Sequence, residues 1–217
     1  MRRVLSVAAL CATAILSLTG CVSLTKSYPE KRSYVVDVGG ASKEADVLAP
    51  RDEPSVLKIN RLRVVPFFAG RAMVYRTAEL QYESDYYNEW FVAPGSLLTQ
   101  QFTAWLSGNG PFHVVLMGTN HIEPTHVLEG TVTEFYGDFR QSGQPKAVFA
   151  IDLHLLDGKD ERRMLMRRSY RQEVPLNSAS SDSLAQGLTQ ALRLVLGEFG
   201  RDIASIVASP STSSAQK

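Results

Sequence analysis

The stretch Ala147-Val148-Phe149-Ala150-Ile151-Asp152-Leu153-His154-Leu155-Leu156 alternates with a period of two. Ala147, Phe149, Ile151, Leu153 and Leu155 fall on one face, with Asp152 and His154 on the other. That pattern specifies a β-strand with one buried face. The turn Asp157-Gly158-Lys159-Asp160 leads into Arg163 to Glu173, where Met164, Met166 and Tyr170 are interleaved with arginines. Upstream, Val127 to Tyr136 places Leu128, Val132 and Tyr136 on one side. Val127 to Glu173 therefore reads as an antiparallel meander.

A sheet with one apolar face needs a cover. Two helices supply it. Pro94 opens the first, since proline lacks only an amide that the first turn leaves unpaired. Leu97, Leu98, Gln101, Phe102, Trp105 and Leu106 share one face, and Ser107-Gly108-Asn109-Gly110-Pro111 ends the helix. The second runs from about Asp182 to Val207, with the stripe Leu184, Leu188, Ala191, Val195, Phe199, Ile203 and Ile206. Ser183 and Gln186 have capping-box spacing, and Ser181 is an equally good cap. Further strands are expected at Tyr34 to Val38, Val56 to Val65, Ala72 to Arg76, Glu79 to Glu83 and Phe112 to Leu116. The fold class is α/β: a mixed sheet of about eight strands with two main helices packed on it.

The ends of the chain carry a different signal. Met1-Arg2-Arg3 precedes Val4 to Leu18, which contains no charge. A basic start with an apolar run of roughly 15 residues is the layout of a secretory signal, short of the about 20 residues that a transmembrane helix needs. Leu18-Thr19-Gly20-Cys21 resembles the bacterial lipobox. Its thiol accepts a diacylglyceryl group, and the small residues before it admit the peptidase. Residues 1–20 thus read as a lipoprotein signal peptide and Cys21 as the lipidated, palmitate-bearing residue. Residues 21–54 read as a mostly flexible tether with one short strand, and 55–208 as the domain. The Ser- and Thr-rich 209–217 reads as a disordered tail. Val22 follows the cysteine where an Asp would retain an enteric lipoprotein at the inner membrane. The expectation is therefore the outer membrane, facing the periplasm.

Removing the signal takes Arg2 and Arg3 from the 23 basic residues, leaving 21 against 22 acidic ones. A near-neutral chain has no global field for nucleic acid. The local cluster Arg162, Arg163, Arg167, Arg168 and Arg171 fits a solvated strand face. Of the two cysteines, Cys11 leaves with the signal and Cys21 is acylated, so the mature chain has neither a disulfide nor a thiol nucleophile. With 44% hydrophobic residues, the core alone can hold the domain together.

The chain carries no Gly-rich phosphate loop, no G-x-S-x-G and no H-E-x-x-H, which argues against an enzyme and against ATP hydrolysis. His121 and His126, with Glu123 between them and Pro124 breaking the run, fit a surface turn better than a metal site. Asp152 and His154 share a strand face, but no nucleophile accompanies them. No cofactor is implied. The unusual segment is Tyr82 to Phe91, with Tyr82, Tyr86, Tyr87, Trp90 and Phe91 set among acidic residues. Tyr and Trp dominate interaction hot spots, so Tyr82, Tyr86 and Tyr87 are the candidate partner interface. The competing reading has Trp90 and Phe91 anchoring the next helix while the tyrosines cap the sheet edge.

Val64-Val65-Pro66, Gly70 to Arg76, Tyr82, Tyr87-Asn88-Glu89-Trp90 and the Pro94 to Leu106 helix together resemble the ABC-type transport auxiliary lipoprotein family. Val127 to Phe135, Ala147 to Leu156 and the long final helix extend the similarity over roughly Tyr34 to Val207. Phe67-Phe68-Ala69-Gly70 departs from the Tyr-Leu-Asp often found there in the family. The resemblance implies a fold like the amino-terminal domain of TolB. It also implies an accessory, non-motor role beside an MCE-domain protein, an ABC permease and its ATPase, moving lipids or other hydrophobic molecules between membranes. A homo-oligomer would be compatible with that role. The alternatives are an assembly or pilot lipoprotein of another envelope complex and, disfavoured by the missing nucleophile, a lipid-modifying enzyme.

Overall fold

The computed structural model describes residues 30–39, 55–118, 121–160 and 162–208. The chain divides into Met1–Glu30 and Lys31–Lys217, and the fold below is that of the second unit. The signal segment, Cys21, most of the expected tether and the tail lie outside the described residues.

The elements are β1 (Arg32–Tyr34), β2 (Val56–Ile59), β3 (Arg63–Val64), a 3-10 turn at Pro66–Phe68, β4 (Ala72–Ala78), β5 (Gln81–Trp90), α1 (Pro94–Asn109), β6 (Val114–Met117), β7 (His126–Asp138), β8 (Lys146–Asp157), β9 (Met164–Pro175) and α2 (Ser181–Ala208). The class is the expected mixed α/β. The meander is β7-β8-β9, antiparallel throughout. The other edge of β7 takes three strands in turn, all parallel: β2 at its start, β3 in its middle and β4 at its end. Beyond them β6 adds to β2, while β5 adds to β4 and β1 to β5.

The core follows from the alternation of β8. Ala147, Phe149, Ile151, Leu153 and Leu155 are fully buried, and α2 covers them with Leu184, Leu188, Ala191, Val195, Phe199 and Ile203. Helix α1 adds Leu98, Phe102 and Leu106, and the rings of Phe102 and Phe199 lie 6.4 Å apart where the helices meet. Pro94 occupies the first turn of α1, and the Gly110 amide donates to the Leu106 carbonyl to close it. Gly130 of β7 is a site of close approach. A Cβ there would meet the side chains of Leu62 and Leu153 within 2.8 Å.

Five expectations need adjustment. The first strand is Arg32–Tyr34, not Tyr34 to Val38. Val36 and Val38 are nevertheless buried, because Gln101 accepts the Val38 amide and Arg193 donates to the carbonyls of Asp37 and Val38. The run Val56 to Val65 is two strands, since Leu62 turns in over Gly130 and its amide donates to Thr99 Oγ1 at 2.9 Å. The strand expected at Glu79 to Glu83 continues to Trp90 as β5. Tyr136 does not share a face with Leu128 and Val132. A register shift between Val132 and Glu134 inserts one residue, so that Phe135 pairs with Phe149 and Tyr136 turns to the opposite face of the sheet, where it is buried against Phe68 and Tyr82. Helix α2 is capped by Ser180, whose Oγ accepts the Ser183 amide and whose carbonyl accepts that of Leu184. Ser181 is instead paired with Tyr75 at 2.9 Å.

Candidate functional site: two aromatic surfaces

Between the β4–β5 pairs Ala72↔Glu89 and Val74↔Ser84, β5 has more residues than β4 can match. The surplus leaves the ladder around Asp85, Tyr86 and Tyr87. Asp85 holds the base of this bulge. Its Oδ1 accepts the amides of Tyr87 (2.8 Å) and Asn88 (2.9 Å), and its Oδ2 accepts Asn88 Nδ2 and the Tyr75 hydroxyl, both at 2.8 Å. Burial acts to raise the Asp85 pKa, but the donors from Asn88, Tyr75 and the two amides outweigh it and hold the carboxyl below its usual value. Tyr75, stacked on Phe139 at 4.9 Å, has its hydroxyl pushed up, first by burial and also by Asp85.

Above that base, Tyr86 and Tyr87 form an edge-on pair with centroids 5.0 Å apart. Tyr86 is 73% exposed and Tyr87 38%. The Lys31 ammonium sits 5.0 Å from the Tyr86 centroid. The parallel pairing of β1 with β5 continues this surface, because the Phe91 amide donates to the Tyr34 carbonyl at 2.7 Å. Val35 and Phe91 are both exposed there. Trp90 is a core residue, 4.9 Å from the ring of Phe135, whereas its neighbour Phe91 is 63% exposed.

Tyr82 belongs to a second cluster. Its ring meets Tyr136 edge-on at 5.6 Å and Phe68 at 6.3 Å, with the Arg76 guanidinium 5.5 Å from its centroid. Phe68 stacks on Tyr136 at 5.5 Å. Phe67, carried by the 3-10 turn, is 80% exposed beside Phe68. The three tyrosines singled out from sequence thus divide between two clusters. The sequence reading missed Phe67, although the stretch Pro66-Phe67-Phe68 before Ala69-Gly70 was a visible signal for an exposed apolar turn.

Of the remaining polar candidates, Asp152 and His126 have structural partners, whereas the half-buried His154 leaves its Nε2 without a hydrogen-bond partner among the described residues. Ser169 Oγ donates to Asp152 Oδ1 at 2.6 Å. His126 pairs with Thr125 Oγ1 and lies edge-on to Phe112. Among the described residues no group of three His, Cys, Asp or Glu side chains could hold a metal ion. The basic cluster is largely ion-paired: Arg163 with Asp157, Arg168 with Asp202, and Arg171 with Glu134 and Glu173. Tyr170 donates to Asp202 at 2.7 Å, and burial followed by that carboxylate raises its pKa.

A mixed sheet covered by two helices, with exposed aromatic side chains outside it, defines a mixed α/β domain. The chain belongs to the ABC-type transport auxiliary lipoprotein component family, whose model matches residues 40–200. A crystal structure of protein XCC0632 from Xanthomonas campestris, matched to the DUF330 family model, superposes with a TM-score of 0.69 at 18% identity, covering 80% of this chain and 96% of that one. A crystal structure of an uncharacterized protein superposes with a TM-score of 0.60 at 19% identity, covering 80% of this chain and 99% of that one. These likenesses establish the shared fold. No curated protein matches the sequence. No helix among the described residues is long and apolar enough to cross a membrane.

Proposed function

We propose that this protein is an outer-membrane-anchored, periplasm-facing lipoprotein without enzymatic activity. It serves as an accessory subunit of an MCE/ABC-type system that moves lipids or other hydrophobic molecules between membranes. Residues 1–20 are its signal, Cys21 its anchor, 21–54 the connection from which Arg32–Val38 docks on the core, 55–208 its working domain and 209–217 its tail. The family assignment supports the transport role, and the lipobox-like Leu18 to Cys21 supports the anchor.

The single observation that carries a docking role is Phe67. Phe67, 80% exposed on a 3-10 turn, extends the contiguous aromatic cluster of Phe68 and the half-exposed Tyr82, and contiguous exposed apolar surface is what a partner covers. The rings of Phe68, Tyr82 and Tyr136 beneath it form a rigid floor. We assign the partner surface to Phe67 and Tyr82 and the partner to the MCE-domain protein of the system, which works with an ABC permease and ATPase.

Capture of that MCE-domain partner from crosslinked membranes tests the assignment. Phe67→Ser with Tyr82→Ser should fold and yet weaken capture about thirtyfold, the equivalent of an interface anchor of about 2 kcal/mol. Undiminished capture by the folded variant would remove this surface from the interaction. No capture by the wild-type protein would turn the reading toward an assembly or pilot factor of another envelope complex.

A further inference from the structure

We propose that the edge formed by β1 and the β5 bulge is a foot that rests on the lipid surface, so that Tyr86, Tyr87, Phe91 and Val35 contact the bilayer interface while the Phe67–Tyr82 surface is left for protein. This rests on the reading that Cys21 is acylated.

Along the chain, this edge is the first part of the fold to follow the anchor. The fold begins at Lys31, ten residues after Cys21. Covalent geometry caps the reach of ten residues at about 35 Å. Lys31 itself touches the Tyr86 ring, and β1 follows at once. The edge is therefore held within reach of the headgroups for as long as the anchor is inserted. Meeting the bilayer becomes an intramolecular step, and a surface too weak to bind an untethered protein suffices.

The chemistry suits a bilayer interface. Tyrosine rings favour the headgroup region, where the ring is half-buried and the hydroxyl stays wet. Phe91 and Val35 supply the apolar component, at 63% and 54% exposure. Lys31 and Arg32 are exposed and available to anionic headgroups. Of the nearby acidic groups, Glu89 is paired with Arg71 at 2.7 Å, Asp85 is occupied by its four donors and Asp182 accepts from the Tyr34 hydroxyl, which leaves Glu30 and the exposed Asp37 as local negative charges against Lys31 and Arg32. The hydrogen bonds on Asp85 also fix the bulge in advance, so that little ordering is needed on contact.

The mature chain offers a clean measurement, because with Cys21 acylated it carries no other thiol. A spin label on Ser33→Cys, between Lys31 and Val35, reports on the foot. One on Lys159→Cys, in the β8–β9 hairpin, serves as the reference. The full acylated chain is placed in vesicles of phosphatidylethanolamine and phosphatidylglycerol. The Ser33 label should then shift to oxygen-biased collisions, while the Lys159 label stays biased toward a water-soluble nickel complex. Adding Tyr86→Ser and Tyr87→Ser should return the Ser33 label to water. A Ser33 label as water-exposed as that at Lys159 on a chain with acylated Cys21 overturns the foot alone. Shielding that appears only when a partner protein is added does the same, and reassigns the edge to that protein. A mass spectrum showing no acyl group on Cys21 overturns the foot and the anchor together.

Discussion

Asp85 is where local chemistry shapes the outer surface. A carboxylate that accepts four hydrogen bonds is worth more folded than free, because each donor favours the charged form. Its pKa is lowered in the fold, so its contribution is fully present above the unfolded value of about 3.9 and is lost as pH falls through the folded value. Asp85→Ala should cost about 1.5–3 kcal/mol at neutral pH in urea melts, the range for hydrogen bonds to a charged group. The gap to wild type should narrow below about pH 4, where the unfolded chain takes up a proton that the native carboxylate still refuses, until the native carboxylate is protonated as well. Asp85→Asn should fall between the two. Its carbonyl can still accept from the Tyr87 and Asn88 amides, but its NH2 faces the Tyr75 hydroxyl and the Asn88 amide group. A variant as stable as wild type at neutral pH would mean that the bulge keeps its shape without Asp85.

Strand β8 was legible from sequence because its alternation puts Phe149, Ile151 and Leu153 on one face, where all are fully buried; the burial of Val148 and Ala150 on the opposite face was not expected from it. Strand β7 was legible in extent but not in facing, because one inserted residue after Val132 moves Tyr136 to the other side, and an insertion leaves no mark in hydrophobicity. Strand β5 was half legible. From Asp85 the chain bulges, so the polar and aromatic residues there follow no period. The aromatic candidates were visible as composition. Their division between two surfaces was not, because it depends on β5 pairing with both β4 and β1. Helix α2 shows the same contrast between pattern and contact. Its stripe is plain in sequence, but Gly187 looks like a weak point to be improved. Alanine in a helix is better than glycine by about 1 kcal/mol. A Cβ at Gly187 would nevertheless stand 2.8 Å from Ala147 Cβ and closer still to Leu176. Leu176 can rotate, but Ala147 is fixed to β8. Overpacking of this kind costs about 1–3 kcal/mol and outweighs the propensity gain. Gly187→Ala should therefore lower stability by about 1 kcal/mol, and a stabilised variant would show that α2 can lift from the sheet without cost.

At the scale of the whole molecule, the proposed roles depend on a link between the domain and a membrane. On the proposed reading, attachment falls to Cys21, the cysteine that closes the lipobox-like Leu18 to Cys21. Each buried methylene contributes about 0.8 kcal/mol, and one acyl chain alone binds only marginally. A diacylglyceryl cysteine carries two chains and gains a third if its new amino group is acylated, which moves the anchor from reversible to stable. On that reading the same cysteine also governs processing, because the peptidase of the lipobox pathway acts on the modified residue. Cys21→Ser should therefore accumulate as a precursor that still carries Met1 to Gly20, with no acyl mass, while the domain keeps the urea midpoint of wild type, since residues 31–208 hold its core. Intact-mass spectrometry of the membrane and soluble fractions, with the melt alongside, reads both outcomes. A wild-type protein that matures at another residue, or whose Cys21 bears no lipid, would detach the domain from the membrane and remove the basis for an anchored accessory subunit. A wild-type protein with lipid on Cys21 and a Cys21→Ser precursor of unchanged stability would establish the anchor as a feature separate from the fold it serves.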